Sequence, residues 1–220
     1  MERRTDLINA ERVMGKNFIG PEQLDKIKDK IGIISPFHLE LEIPIIPYDK
    51  AVLEKYSSDY ILILGNPKAN DNMPLTINKL RAAFGINPSV REPCFYNQDW
   101  YLNEEFAKNK VLDFKWYLLK KNNYDKYRGI SPDLLLNEKK INISLPSAIL
   151  CVYTFFSYYF CSNSELLWID NFVWCNDLDH NNDRIYVGRY IDPSGMNKKG
   201  LNIHRHLSIT KDYSYIDEIK

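Results

Sequence analysis

Apolar residues at Leu7, Ala10, Met14 and Phe18 recur at three- and four-residue steps with charges between them, which predicts an amphipathic helix. Gly20-Pro21 stops that helix and starts another, in which Leu24, Ile27 and Ile31 keep the spacing. Leu39-Glu-Leu-Glu-Ile43 alternates and predicts a half-buried strand ended by Pro44 and Pro47, and Ala51 to Tyr56 predicts a short helix. Tyr60 to Gly65 is a continuous apolar run of strand length, suited to burial on both faces in a sheet interior. Thr76 can cap a helix carrying Ile77, Leu80, Ala83 and Phe84 that ends at Gly85. Val111 to Leu119 has strand composition, and Lys120 to Pro132 is a polar connection.

The stretch from Ile141 to Ser164 carries no charged side chain. Its dense part, Ala148 to Cys161, would span only about 21 Å at about 1.5 Å per residue, too short for a bilayer core. Its large apolar side chains surround the helix instead of forming one stripe, which predicts a central helix covered on most sides. Beyond it the period changes to two. Leu166 to Cys175, Arg184 to Ile191 and Leu201 to Ile209 read as an antiparallel meander, with a turn at Asp192-Pro-Ser-Gly195. The expectation is a single α+β domain over residues 1–220: a C-terminal β-meander packed on a buried central helix, with helices mainly in the N-terminal half.

Composition narrows the choice of partners more than it changes the fold. With 220 residues and 45% hydrophobic content, the chain can bury a sizeable core. The 29 basic residues balance the 29 acidic ones, so no whole-molecule field favours nucleic acid or an anionic membrane. Cys94, Cys151, Cys161 and Cys175 lack C-x-x-C spacing and read as reduced, structural thiols. Met1-Glu-Arg-Arg-Thr-Asp6 lacks a secretory apolar run, so the expected compartment is the cytoplasm.

Four segments could carry chemistry. Asp177, Asp179, Asn181 and Asp183 place oxygen-bearing side chains at alternating positions, a donor set for a divalent cation. Asn182 stands where an EF-hand has glycine and Gly188 where it has glutamate, so the same residues also read as a β-hairpin turn. His204, His206 and Ser208 share one strand face, opposite Leu201, Ile203, Leu207 and Ile209, and paired imidazoles can bind metal or move protons. Asp99, Trp100 and Tyr101, within Cys94-Phe-Tyr-Asn-Gln-Asp-Trp-Tyr101, can bind a ligand by stacking and hydrogen bonding, or anchor a core turn with Asn103 capping a short helix over Glu104 and Glu105. Lys115, Lys120, Lys121, Lys126 and Arg128, interleaved with Tyr117, Tyr124 and Tyr127, form the best candidate for a nucleic-acid surface, although neighbouring acids weaken it. The chain has no phosphate-loop, nucleophile-elbow, His-Glu-x-x-His or dinucleotide motif.

Met14-Gly-Lys-Asn-Phe-Ile-Gly-Pro-Glu22, Phe95-Tyr-Asn-Gln-Asp-Trp-Tyr101, Val173-Trp-Cys-Asn-Asp-Leu-Asp179 and Arg184-Ile-Tyr-Val-Gly188 resemble an uncharacterised family of bacterial hypothetical proteins, over most of the chain. That resemblance implies a glycine where Asn182 stands and transfers no activity. The residues themselves support a binding or interaction module for a protein or small-molecule ligand, with no cofactor identified. The competing reading is a metal-dependent hydrolase in which Asp177, Asp179 and Asp183 converge with His204 or His206 on one divalent cation.

Overall fold

The computed structural model describes residues 5–137, 144–191, 199–205 and 212–220. Its helices are α1 (Leu7–Met14), α2 (Pro21–Ile31), α3 (Lys50–Tyr56), α4 (Ile77–Phe84), α5 (Glu105–Lys108), α6 (Pro132–Asn137) and α7 (Ala148–Cys161). Its strands are β1 (Phe18–Ile19), β2 (Tyr60–Leu64), β3 (Trp116–Lys120), β4 (Phe172–Leu178), β5 (Arg184–Ile191), β6 (Lys199–Arg205), β7 (Tyr213–Ser214) and β8 (Glu218–Ile219). The class is α+β, with helices mainly in the N-terminal half.

Local chemistry explains where the helices start. Asp6, Asp49 and Thr76 each accept a backbone N–H three residues on, capping α1, α3 and α4. In α2 Pro21 occupies the first turn, and Gly32 closes the helix at φ 72°, a left-handed conformation that favours glycine. Ser147 caps α7 by accepting from Leu150 N–H. A carboxylate from β4 also reaches that end: Asp177 Oδ2 accepts the Ala148 N–H at 2.6 Å, placing negative charge at the positive end of the helix.

Every residue of α7 from Ala148 to Tyr158 is buried, as the all-round apolar pattern predicts. Phe156 stacks on Phe84 of α4 and packs against Phe95. Among the described residues no helix is long and apolar enough to cross a membrane.

Two four-stranded sheets share this core. The first has the order β1-β2-β3-β8, the second β6-β5-β4-β7. Strand β2 is buried along its whole length between parallel β1 and antiparallel β3, the interior position its apolar run predicts. The expected meander appears as antiparallel β4, β5 and β6. Residues 213–219 then serve both sheets, because β7 runs parallel to β4 and β8 antiparallel to β3. Between them Tyr215 and Ile216 are fully buried. Asp217 accepts the hydroxyls of Tyr60 and Tyr124, at 2.8 and 3.1 Å.

Four expectations need correction. The first helix stops at Met14, where Gly15 takes φ 54°, and Phe18 lies in strand β1 instead of on the helix. Leu39–Ile43 forms no strand: Leu39 is buried but Leu41 is 57% exposed. Among the described residues its alternation pairs with no strand, and Pro44 and Pro47 just beyond it have no N–H for a ladder. The strand expected over Val111–Leu119 is confined to Trp116–Lys120. The one expected from Leu166 starts at Phe172, because Trp168 and Asp170 adopt left-handed φ of 51° and 50°, which interrupts an extended run. The Asp192–Gly195 turn and the end of the last strand, 206–209, lie outside the described residues.

If the 213–219 ribbon holds both sheets, Ile216→Ala should lower the free energy of urea unfolding by about 2–5 kcal/mol. Ile8→Ala, at a position 80% exposed, should change it by less than about 0.5 kcal/mol.

Candidate functional site

The acidic residues after β4 form a hairpin turn. Asn182 N–H donates to Asp179 O at 3.0 Å, and Asp179 N–H to Asp183 O at 2.9 Å. Asn182 lies at φ 65°, the left-handed position of a three-residue loop where asparagine is tolerated better than most side chains. Asp179 organises the turn from inside, since its Oδ1 accepts the N–H groups of Asn181 and Asp183, both at 2.8 Å.

The other oxygen of Asp179 faces β6. Arg205 donates to Oδ2 at 2.6 Å, and its guanidinium lies 4.9 Å over the ring of Trp100. This bond joins the acidic turn to the histidine-bearing strand. Burial pushes the Asp179 carboxyl up, but the Arg205 hydrogen bond and the two backbone donors outweigh it and leave the group below its ordinary value. The same hydrogen bond raises Arg205.

Glu104 closes the cluster. Its Oε2 accepts the His180 N–H at 3.0 Å, and its Oε1 lies 2.6 Å from His180 Nδ1. Glu104, not Asn103, occupies the N-cap of α5, and its side chain makes no capping bond, so it is turned outward to the hairpin. Among the described residues, the metal-ligating atoms that come within 4.8 Å of one another belong to Glu104, Asp179 and His180. The Glu104 side chain is 9% exposed and that of His180 64%.

The other expected residues are placed differently. Asp177 turns away from the turn, to the Lys110 ammonium at 2.6 Å and to the start of α7. Asn181 contributes its backbone N–H to Asp179, and Asp183 both its N–H and its carbonyl. His204 stacks on Tyr186 at 5.4 Å with Nδ1 2.5 Å from Arg205 O, outside the Glu104 cluster. His206 lies outside the described residues. Asp99 is 76% exposed and pairs with Arg81 at 2.6 Å. Trp100 is half-buried and donates Nε1–H to Ile203 O at 3.1 Å. Tyr101 is 1% exposed, so it anchors the core; a ligand at the surface would not reach it.

Glu104, His180 and Arg205 were missed as partners. A signal existed for Arg205: period-two geometry puts it on the face of Leu201 and Ile203, and a charge in an apolar row calls for a buried counter-charge. Asp177 and Asp179 continue the row of Val173 and Cys175 in the same way. No short motif announces the distant Glu104.

The basic run is largely committed within the molecule. Lys121 donates to Tyr158 at 2.8 Å and pairs with Glu165 at 2.5 Å. That Lys121 hydrogen bond, against burial and aided by Lys16, holds Glu165 at about 2. Lys120 lies over the rings of Tyr60 and Tyr124, and Lys126 over Tyr127. Arg128 bonds Asp125 and Asn171.

No family model, curated protein or solved structure matches this chain.

Two outcomes follow from the turn. Asn182→Ala should cost about 1 kcal/mol in urea unfolding because alanine is strained at positive φ, whereas Asn182→Gly should be neutral or stabilising. Arg205→Ala should lower stability at pH 7. Asp179 has a depressed carboxyl, so its contribution is full above the unfolded value of about 3.9 and lost as pH falls through the lower folded value. The gap between wild type and Arg205→Ala should therefore close in unfolding curves measured progressively below pH 4.

Proposed function

We propose that this protein is a binding or interaction module, bacterial and cytoplasmic as its composition and family resemblance suggest, whose ligand engages the rim formed by Trp100, His180 and Arg205. The observation that carries this reading is how the acids behind the rim are used. Asp177 serves Lys110 and the start of α7, and Asp179 serves two turn amides and Arg205. These carboxylates act as fasteners, while the ring of His180 is mostly exposed and Arg205 spans the face of a half-buried indole. An aromatic face with neighbouring donors suits a small molecule or a protein side chain. The committed lysines and balanced charge argue against nucleic acid.

A metal-dependent hydrolase is the second reading, favoured by the mutual approach of Glu104, Asp179 and His180 to within 4.8 Å. A divalent cation there would have to displace Arg205 from Asp179 and take over the Glu104–His180 contact, with one imidazole nitrogen and two carboxylates as ligands.

Metal analysis of purified protein, with thermal shifts in Ca²⁺, Mg²⁺, Mn²⁺ and Zn²⁺, separates the two. The binding reading expects no stoichiometric metal and no saturable stabilisation; a stoichiometric metal or a saturable thermal shift would instead transfer support to the hydrolase. A fragment screen followed by NMR should move the Trp100 indole and His180 imidazole signals, and Trp100→Ala should abolish those hits. Hits that survive the substitution would remove this rim as the binding site.

A further inference from the structure

A groove of about 530 Å³ lies between the start of α1 and the segment that leads to α3. Leu7 and Ile8 form one wall, and Ile43, Pro44, Ile45 and Ile46 the other. The two walls are tied where Thr5 N–H donates to Tyr48 O at 3.4 Å. Ile8 is 80% exposed and Ile45 66%, so branched aliphatic side chains project into water beside an apolar concavity. Contiguous apolar surface of this kind marks a contact site more often than a scatter of single residues does.

The backbone along the second wall is free as well. Among the described residues, Ile43, Ile45 and Ile46 make no main-chain hydrogen bond. A proline restricts its predecessor to extended conformations, so Pro44 and Pro47 hold Ile43 and Ile46 that way. Pro44 has no N–H, and its carbonyl accepts Trp116 Nε1–H at 2.7 Å, so that edge of the segment faces the protein. In an extended run neighbouring residues turn their polar groups to opposite edges, which puts those of Ile43 and Ile45 on the outer one. Charge adds a third property. The stretches 5–11 and 39–49 hold five carboxylates, Asp6, Glu11, Glu40, Glu42 and Asp49, and no lysine or arginine, in a chain whose charges balance at 29 each. None of the five is in a salt bridge among the described residues. Arg12 and Lys50, next in sequence after each stretch, are used elsewhere: Arg12 donates to Asn9, and Lys50 pairs with Glu54 at 3.2 Å.

We propose that this groove docks an extended peptide segment of a partner protein, with aliphatic side chains at alternate positions and lysine or arginine between them. Main-chain bonds to Ile43 and Ile45 add the peptide as a strand, and its aliphatic side chains cover Ile8 and Ile45. Its cations meet the unpaired carboxylates, which steer the encounter and select against acidic segments. The same charge disfavours a second copy of this chain, because a two-fold contact would set the carboxylates of both copies against each other. The surface shares no residue with the Trp100 rim and does not rest on it.

The probe is an acetylated heptapeptide of alternating lysine and valine with a C-terminal fluorescein, titrated with the full chain and read by fluorescence anisotropy. It should bind saturably, and peptides alternating glutamate with valine or lysine with serine should bind at least about tenfold more weakly. Ile45→Ser and Glu42→Lys, both at exposed positions, should each weaken binding at least about fivefold without moving the melting temperature. In NMR spectra the amide signals of Ile43 and Ile45 should shift as the peptide is added. Trp100→Ala should leave the affinity unchanged, which keeps this result separate from the fate of the Trp100 rim, and so should Arg3→Ala with Arg4→Ala. The proposal is overturned by an absence of saturable binding, by equal binding of the glutamate–valine peptide, by binding that survives Ile45→Ser, by unmoved Ile43 and Ile45 amides, or by loss through Trp100→Ala. A tenfold gain in the double arginine variant would make the chain's own N-terminus the occupant, and a dimer in sedimentation that Ile45→Ser dissociates would make it a second copy; either result also overturns the proposal.

Discussion

A helix with no polar side has to be covered on every side, and α7 imposes that condition on this molecule. Eleven consecutive residues, Ala148 to Tyr158, are withdrawn from water. Removing so many large apolar side chains is the principal favourable contribution available to the chain, and it is realised only if elements close around the helix from several directions. Helices α2 and α4 and strands of the second sheet lie against it, and β2 of the first sheet is reached by the Tyr153 hydroxyl, which donates to Leu64 O at 3.2 Å. The charge of Asp177 at the first turn belongs to the same requirement. A helix end enclosed in this way needs acceptors for its leading N–H groups, and Ser147 and Asp177 supply them from two different segments.

Elements whose reasons are local were legible in the sequence. The Thr76 cap and Gly85 end of α4, the Pro21 start of α2, the apolar run of β2 and the limits of α7 all follow from residues adjacent to the feature they determine. What failed depended on distant partners. Leu39–Ile43 has a strand's pattern but no adjoining strand, and a pattern alone cannot reveal whether a sheet edge lies within reach. The delayed start of β4 depends on the left-handed conformations of Trp168 and Asp170; aspartate tolerates that region, but a tryptophan there is not readable from the sequence.

The candidate site shows the same division. The hairpin over Asp179–Asp183 was legible because its turn chemistry is contiguous, including Asn182 at positive φ. Its neighbours were not, since Glu104 and Arg205 arrive from other parts of the chain. The spacing of the acids suggested a shared ligand; they do share the buried face of β4, but Asp177 meets the start of α7 there and Asp179 meets Arg205. A row of oxygens in sequence became two separate fasteners in space.

The ribbon at 213–219 has a kinetic meaning as well as a static one. Leu118 pairs with Ile219 and Phe172 with Tyr213, so the first sheet acquires its outer strand only after a long intervening loop has closed, whereas the second does so across a much shorter one. Such contacts are late and slow to form, and they are made by one short stretch whose middle is already buried. An amide at the β3 edge and one at the β4 edge should therefore lose protection from solvent exchange in a shared opening event, and local fraying would pass from one sheet to the other through Tyr215 and Ile216.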